Sequence, residues 1–288
     1  MKGTLRLASL ALALVLAASA RAGAQDRPMM PIEAPRPSGC ITTVAAGDHT
    51  FPCGDVTYRV VVDDMCTQFA CGLIFDLHGA GMSSEGMRKN TDLHHLAPSH
   101  GYLVVHPGAA PDGPGTWSMT ESPPQLADFM SQMIDVFHVD RSRVHMTGFS
   151  MGAAMTFAVL CTHPDWLASV AVATGVSADQ VKAPDGRGCI EALDADWQPR
   201  VPIFFMSGVH DPALSEEAAK ARTQGIVSRL GLTGGLEVAG DGHYQRRRWT
   251  GPDRMVFDFL LHDYDAELER LGGHCMPGGL ETQPTTCT

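Results

Sequence analysis

Apolar residues fall along this chain in short runs separated by polar, Gly-marked or Pro-marked turns, and the runs alternate with longer amphipathic or wholly apolar stretches. That is the pattern of buried strands interleaved with helices. Strands are predicted over residues 56–62, 72–77, 101–106, 143–147, 168–174 and 201–207, with 235–239, 245–249 and 255–261 closing the set. Helices are expected from about 85 to 99, 125 to 137, 151 to 160 and 214 to 230, and a Pro- and Gly-rich loop from 109 to 124. The helix over 151–160 is apolar but for Thr156 and carries no Pro and no Gly after Gly152, so it should be buried on all sides. Strands alternating with helices imply an α/β chain: a mainly parallel, twisted sheet with helices on both faces, in a single domain.

The N-terminal end follows a different pattern. Lys2 and Arg6 precede an apolar run over 7–20, and Ala22-Gly23-Ala24 supplies small residues for cleavage, so residues 1–24 are expected to be a secretory signal peptide cut near Ala24. Residues 25–38 carry Pro28, Pro31, Pro35 and Pro37 with little hydrophobic pattern and read as a poorly ordered leader; the domain is expected over 39–288. The apolar run is too short for a comfortable membrane span and no later stretch is longer, so no membrane anchor is expected. A secreted or periplasmic protein follows, of an oligomeric state that the sequence leaves open.

Composition sharpens this picture. With 288 residues and 44% hydrophobic content the chain can bury one large core. Without the signal segment, 18 basic residues face 32 acidic ones, a net charge near −14, which disfavours nucleic acid and anionic lipid as partners. All eight cysteines (Cys40, Cys53, Cys66, Cys71, Cys161, Cys189, Cys275, Cys287) lie after the signal, and an even number in an exported chain points to disulfides. Of the 105 possible pairings, sequence neighbours are favoured, Cys66 with Cys71 and Cys275 with Cys287 first. No C-x-x-C pair suggests a metal site.

The residues with chemical potential begin at Gly148-Phe149-Ser150-Met151-Gly152, placed between a predicted strand and the apolar helix. Strand, sharp turn and helix is the geometry of a nucleophile elbow, in which a serine hydroxyl projects from the sheet edge. A serine alcohol needs a base within reach and a carboxylate to orient it, and in this geometry the chain order is Ser, acid, His. Asp211, in a tight Gly208-x-x-Asp turn after the second strand beyond the elbow, fits the acid, with a helix N-cap as its other possible role. His274, after the final strand, fits the base; the rival is His243, also Gly-flanked but placed before the last two strands. The backbone N–H groups of Met151 and Ala80 are the expected oxyanion donors, Ala80 lying in His78-Gly79-Ala80-Gly81 with His78 as a structural hydrogen-bonding residue.

Other residues carry less. His94, His95 and His100 sit on or just after a predicted helix without a spaced carboxylate or thiolate set, so no metal and no cofactor is expected. Arg246-Arg247-Arg248 reads as a solvated or salt-bridging strand face. Trp117 is a candidate apolar wall for an acyl or aromatic group, or equally a packed loop anchor.

With Leu77-His78-Gly79, Gly148-x-Ser150-x-Gly152, Gly208-x-x-Asp211 and Gly272-Gly273-His274-x-x-Pro277-Gly278 in order, residues 39–279 resemble the polyhydroxybutyrate depolymerase and feruloyl esterase group of secreted α/β-hydrolases. The resemblance implies the α/β-hydrolase fold and hydrolysis of carboxylic esters through an acyl-enzyme on Ser150, without a cofactor. It places polyester depolymerisation first, feruloyl or acetylxylan-type cell-wall esters as the alternative, and peptides or amides behind both. The usual histidine loop of this group has Trp where Met276 stands, which marks Met276 as a substrate-binding candidate beside the base. Activity is expected to rise, not fall, between about pH 5 and pH 8 as the histidine base loses its proton.

Overall fold

The strands are β1 (Gly47–Cys53), β2 (Val56–Val62), β3 (Gly72–Leu77), β4 (Tyr102–Gly108), β5 (Val144–Phe149), β6 (Ser169–Ala173), β7 (Ile203–Gly208), β8 (Thr233–Gly240), β9 (Tyr244–Thr250) and β10 (Val256–His262). The helices are α1 (Ser84–Thr91), α2 (Leu93–Leu96), α3 (Ser122–Val136), α4 (Met151–Thr162) and α5 (Glu216–Arg229). This is a computed structural model; it describes residues 29–110, 113–175, 188, 201–253, 255–264, 272–276, 285 and 287, so the expected signal peptide lies outside the described residues. The chain divides into two units, Met1–Pro31 and Ile32–Thr288, and the second carries the fold.

All ten strands form one sheet in the order β1-β2-β4-β3-β5-β6-β7-β10-β9-β8. From β4 to β10 the pairings are parallel, while β1 and β2 at one side and β9 and β8 at the other are antiparallel additions. The alternation of β2 explains its place: Val56, Tyr58, Val60 and Val62 are buried and the residues between them partly exposed. Central β3, by contrast, is buried along almost its whole length, as a parallel strand covered on both faces must be. Helix α4 packs on β3, β5 and β6, with α3 against it, and every residue from Gly152 to Leu160 is buried. On the far side of α3 the Phe129 ring stacks on Tyr58 at 3.7 Å, and the Tyr58 hydroxyl donates to the Gln125 carbonyl at 2.9 Å. No helix among the described residues is long and apolar enough to cross a membrane.

Four boundaries differ from the sequence expectation. Strand β1 was not expected: its GDHTFPC sequence is polar, only Phe51 and its hairpin to β2 through Gly54-Asp55 mark it, and the Cys40–Cys53 disulfide ties it down. The helix expected over 85–99 is broken at Asp92, which takes a left-handed conformation with φ 54°, and the chain continues as the short α2 and a 3-10 turn begun by Pro98. Helix α3 begins at Ser122, inside the expected loop, because Pro123 and Pro124 occupy the first turn, where a missing N–H costs nothing. The leader expected to be loose up to Ser38 is tied to the fold from Ile32, whose N–H donates to the Gln68 carbonyl at 3.0 Å, and Pro35 is buried.

Both favoured disulfides are present, Cys66–Cys71 and Cys275–Cys287, along with Cys40–Cys53. Cys161 is also disulfide-bonded, and Cys189 lies outside the described residues.

Candidate active site

Strand β5 ends at Phe149 and α4 begins at Met151, so Ser150 alone turns the chain, at φ 54° and ψ −115°. Such a conformation costs a non-Gly residue about 1–3 kcal/mol and persists only when its surroundings impose it. Here the Ser150 N–H donates to the Ala173 carbonyl at 2.9 Å. The turn also needs its two glycines: a Cβ on Gly148 would stand 2.3 Å from the Gly152 carbonyl oxygen, and one on Gly152 would stand 2.3 Å from that of Leu77.

From this turn Ser150 Oγ meets His274 Nε2 at 3.0 Å, and His274 Nδ1 lies 2.9 Å from each carboxylate oxygen of Asp211. With Nδ1–H donating to Asp211, Nε2 is left to accept the serine proton. The Asp211 side chain is fully buried and also accepts from the N–H groups of Ala213 at 2.7 Å and Leu214 at 3.0 Å. It therefore holds its own turn and the imidazole together, but it is not the helix N-cap that was its alternative expectation, since the N-cap of α5 is Ser215. The end of β7 and the histidine loop pass in van der Waals contact, since a Cβ on Gly208 would lie 2.3 Å from the Gly273 carbonyl oxygen. Beyond His274 the Cys275–Cys287 disulfide and the Met276–Thr285 and Cys287–Met276 backbone hydrogen bonds fix the loop.

Met151 is the first residue of α4, and neither its N–H nor that of Ala80 has an acceptor among the described residues. The β3 loop lies against the nucleophile, for a Cβ on Gly79 would come within 3.1 Å of the Ser150 Cβ. His78 braces that loop: it is fully buried, donates from Nδ1 to the Gly79 carbonyl at 2.7 Å and accepts at Nε2 from the Ala109 N–H at 3.1 Å. Burial pushes the His78 pKa down, against the opposing pull of the Gly79 carbonyl and Asp76, which suits this neutral donor-and-acceptor role.

The remaining candidates lie elsewhere. Trp117 is 2% exposed, donates from Nε1 to the His78 carbonyl at 2.8 Å and packs its ring 4.6 Å from His78, so it is the loop anchor and not an open wall. Met276 is buried in a small cluster with Phe149, Ala173, Met206 and Met87, behind the histidine loop and not on a surface that could grip a chain. His243 stands on the exposed turn between β8 and β9, its Nδ1 3.1 Å from Asp263. Sequence reasoning did not single out Phe149, whose ring centroid lies 5.0 Å from that of His274; its place inside the elbow motif was the available signal.

Sheet order, helix placement and elbow define the class: the chain has the α/β-hydrolase fold. A solved structure with the same fold is the acetyl xylan esterase from Aspergillus awamori, which matches with a TM-score of 0.62 at 18% identity over 75% of this chain and 93% of that one. An S-formylglutathione hydrolase from Agrobacterium tumefaciens matches at 0.52 and 14% identity over 77% of this chain and 89% of its own. No protein-family model matches the sequence. Among curated proteins, "Putative esterase NocK" of Nocardia uniformis subsp. tsuyamanensis is 26% identical over 97% of this chain and 92% of its own length. The bifunctional acetylxylan esterase/xylanase XynS20E of Neocallimastix patriciarum is 29% identical over half of this chain, which spans only 20% of the fungal protein. Feruloyl esterase B of Neurospora crassa is 27% identical over 42% of this chain and 44% of its own length. These relatives are ester hydrolases by name.

Proposed function

We propose that the chain is an exported serine esterase that removes acetyl or feruloyl groups from plant cell-wall polysaccharide. The observation that carries the reading is the continuous hydrogen-bond chain from Ser150 Oγ through His274 to the buried Asp211. It is a carboxylic ester hydrolase in which Ser150 Oγ attacks the acyl carbon as its proton passes to His274 Nε2. Asp211 keeps the ring oriented and stabilises the imidazolium. Met151 and Ala80 direct their N–H groups at the oxyanion, each such donor being worth about 3–4 kcal/mol in the transition state. His274 then returns the proton to the departing alcohol, and a water molecule repeats the cycle to free the acid.

The choice of ester rests on the acetylxylan and feruloyl esterase names among the relatives, which favour the reading ranked second on sequence grounds over polyhydroxyalkanoate cleavage. Export is supported by the N-terminal segment and by disulfides, which persist in oxidising compartments. The test is acid release from acetylated xylan, methyl ferulate and a poly(3-hydroxybutyrate) film, with Ser150→Ala as the blank. Acetate or ferulate release with an intact film is expected. Film clearing without either would restore the polyester reading, and cleavage of an anilide in preference to all three would move the protein to amides.

A further inference from the structure

Away from the serine, α1, α2 and the β1–β2 hairpin border a cavity of about 380 Å³ lined by Asp48, Arg59, Glu85, Arg88 and Lys89 together with Asp92, His94 and His95. We propose that Asp92, His94 and His95 bind a zinc-type divalent transition-metal ion. Their ligand atoms all lie within 4.8 Å of one another. Asp92 Oδ1 is 2.6 Å from His95 Nδ1 and 4.0 Å from His94 Nδ1, and the two imidazole centroids are 3.8 Å apart. A tetrahedral zinc ion with bonds of about 2.0–2.1 Å separates its ligand atoms by roughly 3.4 Å, between those two spacings, so shifts of under about 1 Å would admit it.

His94 supplies the independent sign. Its side chain is 9% exposed, its Nδ1 is buried without a hydrogen-bond partner, and that nitrogen faces the Asp92 carboxylate. A buried imidazole nitrogen left unsatisfied is costly, and a metal bond in that direction would satisfy it. The break in the helix makes the arrangement possible, because the left-handed turn at Asp92 brings α2 back over its own carboxylate. The cavity's cations do not oppose an ion outright: Arg88 is paired with Asp48 at 2.9 Å, and Arg59 and Lys89 lie 3.3 and 3.8 Å from Glu85. Two imidazoles and one carboxylate suit zinc and its neighbours better than calcium or magnesium, and the open cavity leaves a fourth position to water. The His94 ring lies 6.2 Å from that of His106 on β4, and β3 separates β4 from β5, which Ser150 follows, so the ion would brace the fold and not enter the chemistry.

Calorimetric titration of the tag-free, chelator-stripped full chain with zinc chloride tests the site. The wild type should take up one equivalent that His94→Ala and His95→Ala each weaken at least tenfold, and zinc at a hundredfold excess over its Kd should raise the wild-type Tm by on the order of 5 °C. The His95 side chain is 66% exposed, so His95→Ala keeps the test decisive if His94→Ala does not fold. No heat of binding at about 1 mM zinc, or uptake equal in the wild type and the folded variants, overturns the proposal.

Discussion

His274 and His243 each face an aspartate at nearly the same distance, and of the two only His274 stands beside a serine. His274 Nδ1 is 2.9 Å from Asp211 and His243 Nδ1 is 3.1 Å from Asp263. Around the first pair the carboxylate is fully buried, held by two backbone N–H groups, and the free ring nitrogen points at Ser150. Around the second, the histidine and aspartate side chains are 69% and 46% exposed on the rim of an antiparallel hairpin. A His–Asp contact is therefore common currency; what distinguishes a candidate catalytic base is delivery to the end of the parallel strands, where β5, β7 and the loop after β10 converge. The antiparallel strands at the sheet's side extend the core without reaching that point.

The comparison can be broken most severely at the serine. Ser150→Ala should lower kcat/KM on a soluble ester by about 10⁵- to 10⁶-fold with an unchanged circular dichroism spectrum; a loss below tenfold would move the nucleophile elsewhere. Next comes a matched pair of amides. Asp211→Asn should cost about 10⁴-fold by favouring the wrong imidazole tautomer, while Asp263→Asn should leave the rate within about twofold, and equal losses would erase the distinction between the two pairs.

A third carboxylate sharpens the contrast by being buried yet remote from the serine. Asp258 on β10 is held by Arg246 and Arg248 from β9, the arginine run thus forming a salt-bridging face. Burial alone would raise the Asp258 pKa, but the hydrogen bonds from Arg248 and Arg246 outweigh it and hold the carboxyl below its ordinary range. A depressed folded-state pKa means stability that is present above the ordinary carboxylate range and lost as pH falls through the lower folded value. Asp258→Asn should cost about 2 kcal/mol at pH 7, less than a fully buried pair because the guanidiniums remain partly exposed. The corresponding Tm drop is about 4–8 °C, shrinking in strong acid, with kcat unchanged; a drop that persists undiminished at low pH would contradict the sign.

Much of this was legible in the sequence, for reasons that differ by residue. The elbow could be read because Gly148 and Gly152 are sterically obligatory, and Asp211 and His274 because strand order constrains where loops emerge. The central strands declared themselves through continuous burial. Strand β1 did not, since an edge strand with one buried side chain has almost no hydrophobic signature. Nor could sequence show that Asp92 would break its helix, which hid the carboxylate nearest His94 and His95. For Trp117 the sequence left an apolar wall and a packed loop anchor equally open, because the side-chain direction that decides between them is set by tertiary contacts, here the His78 carbonyl.

The most direct measurement compares His274→Ala with His243→Ala on one soluble acetate ester under identical conditions. Because His274 is the ring hydrogen-bonded to Ser150, its loss should reduce kcat/KM by about 10⁵- to 10⁶-fold, whereas the His243 variant should stay within about twofold of the wild type. An active His274→Ala enzyme alongside a dead His243→Ala enzyme would contradict the account at its centre.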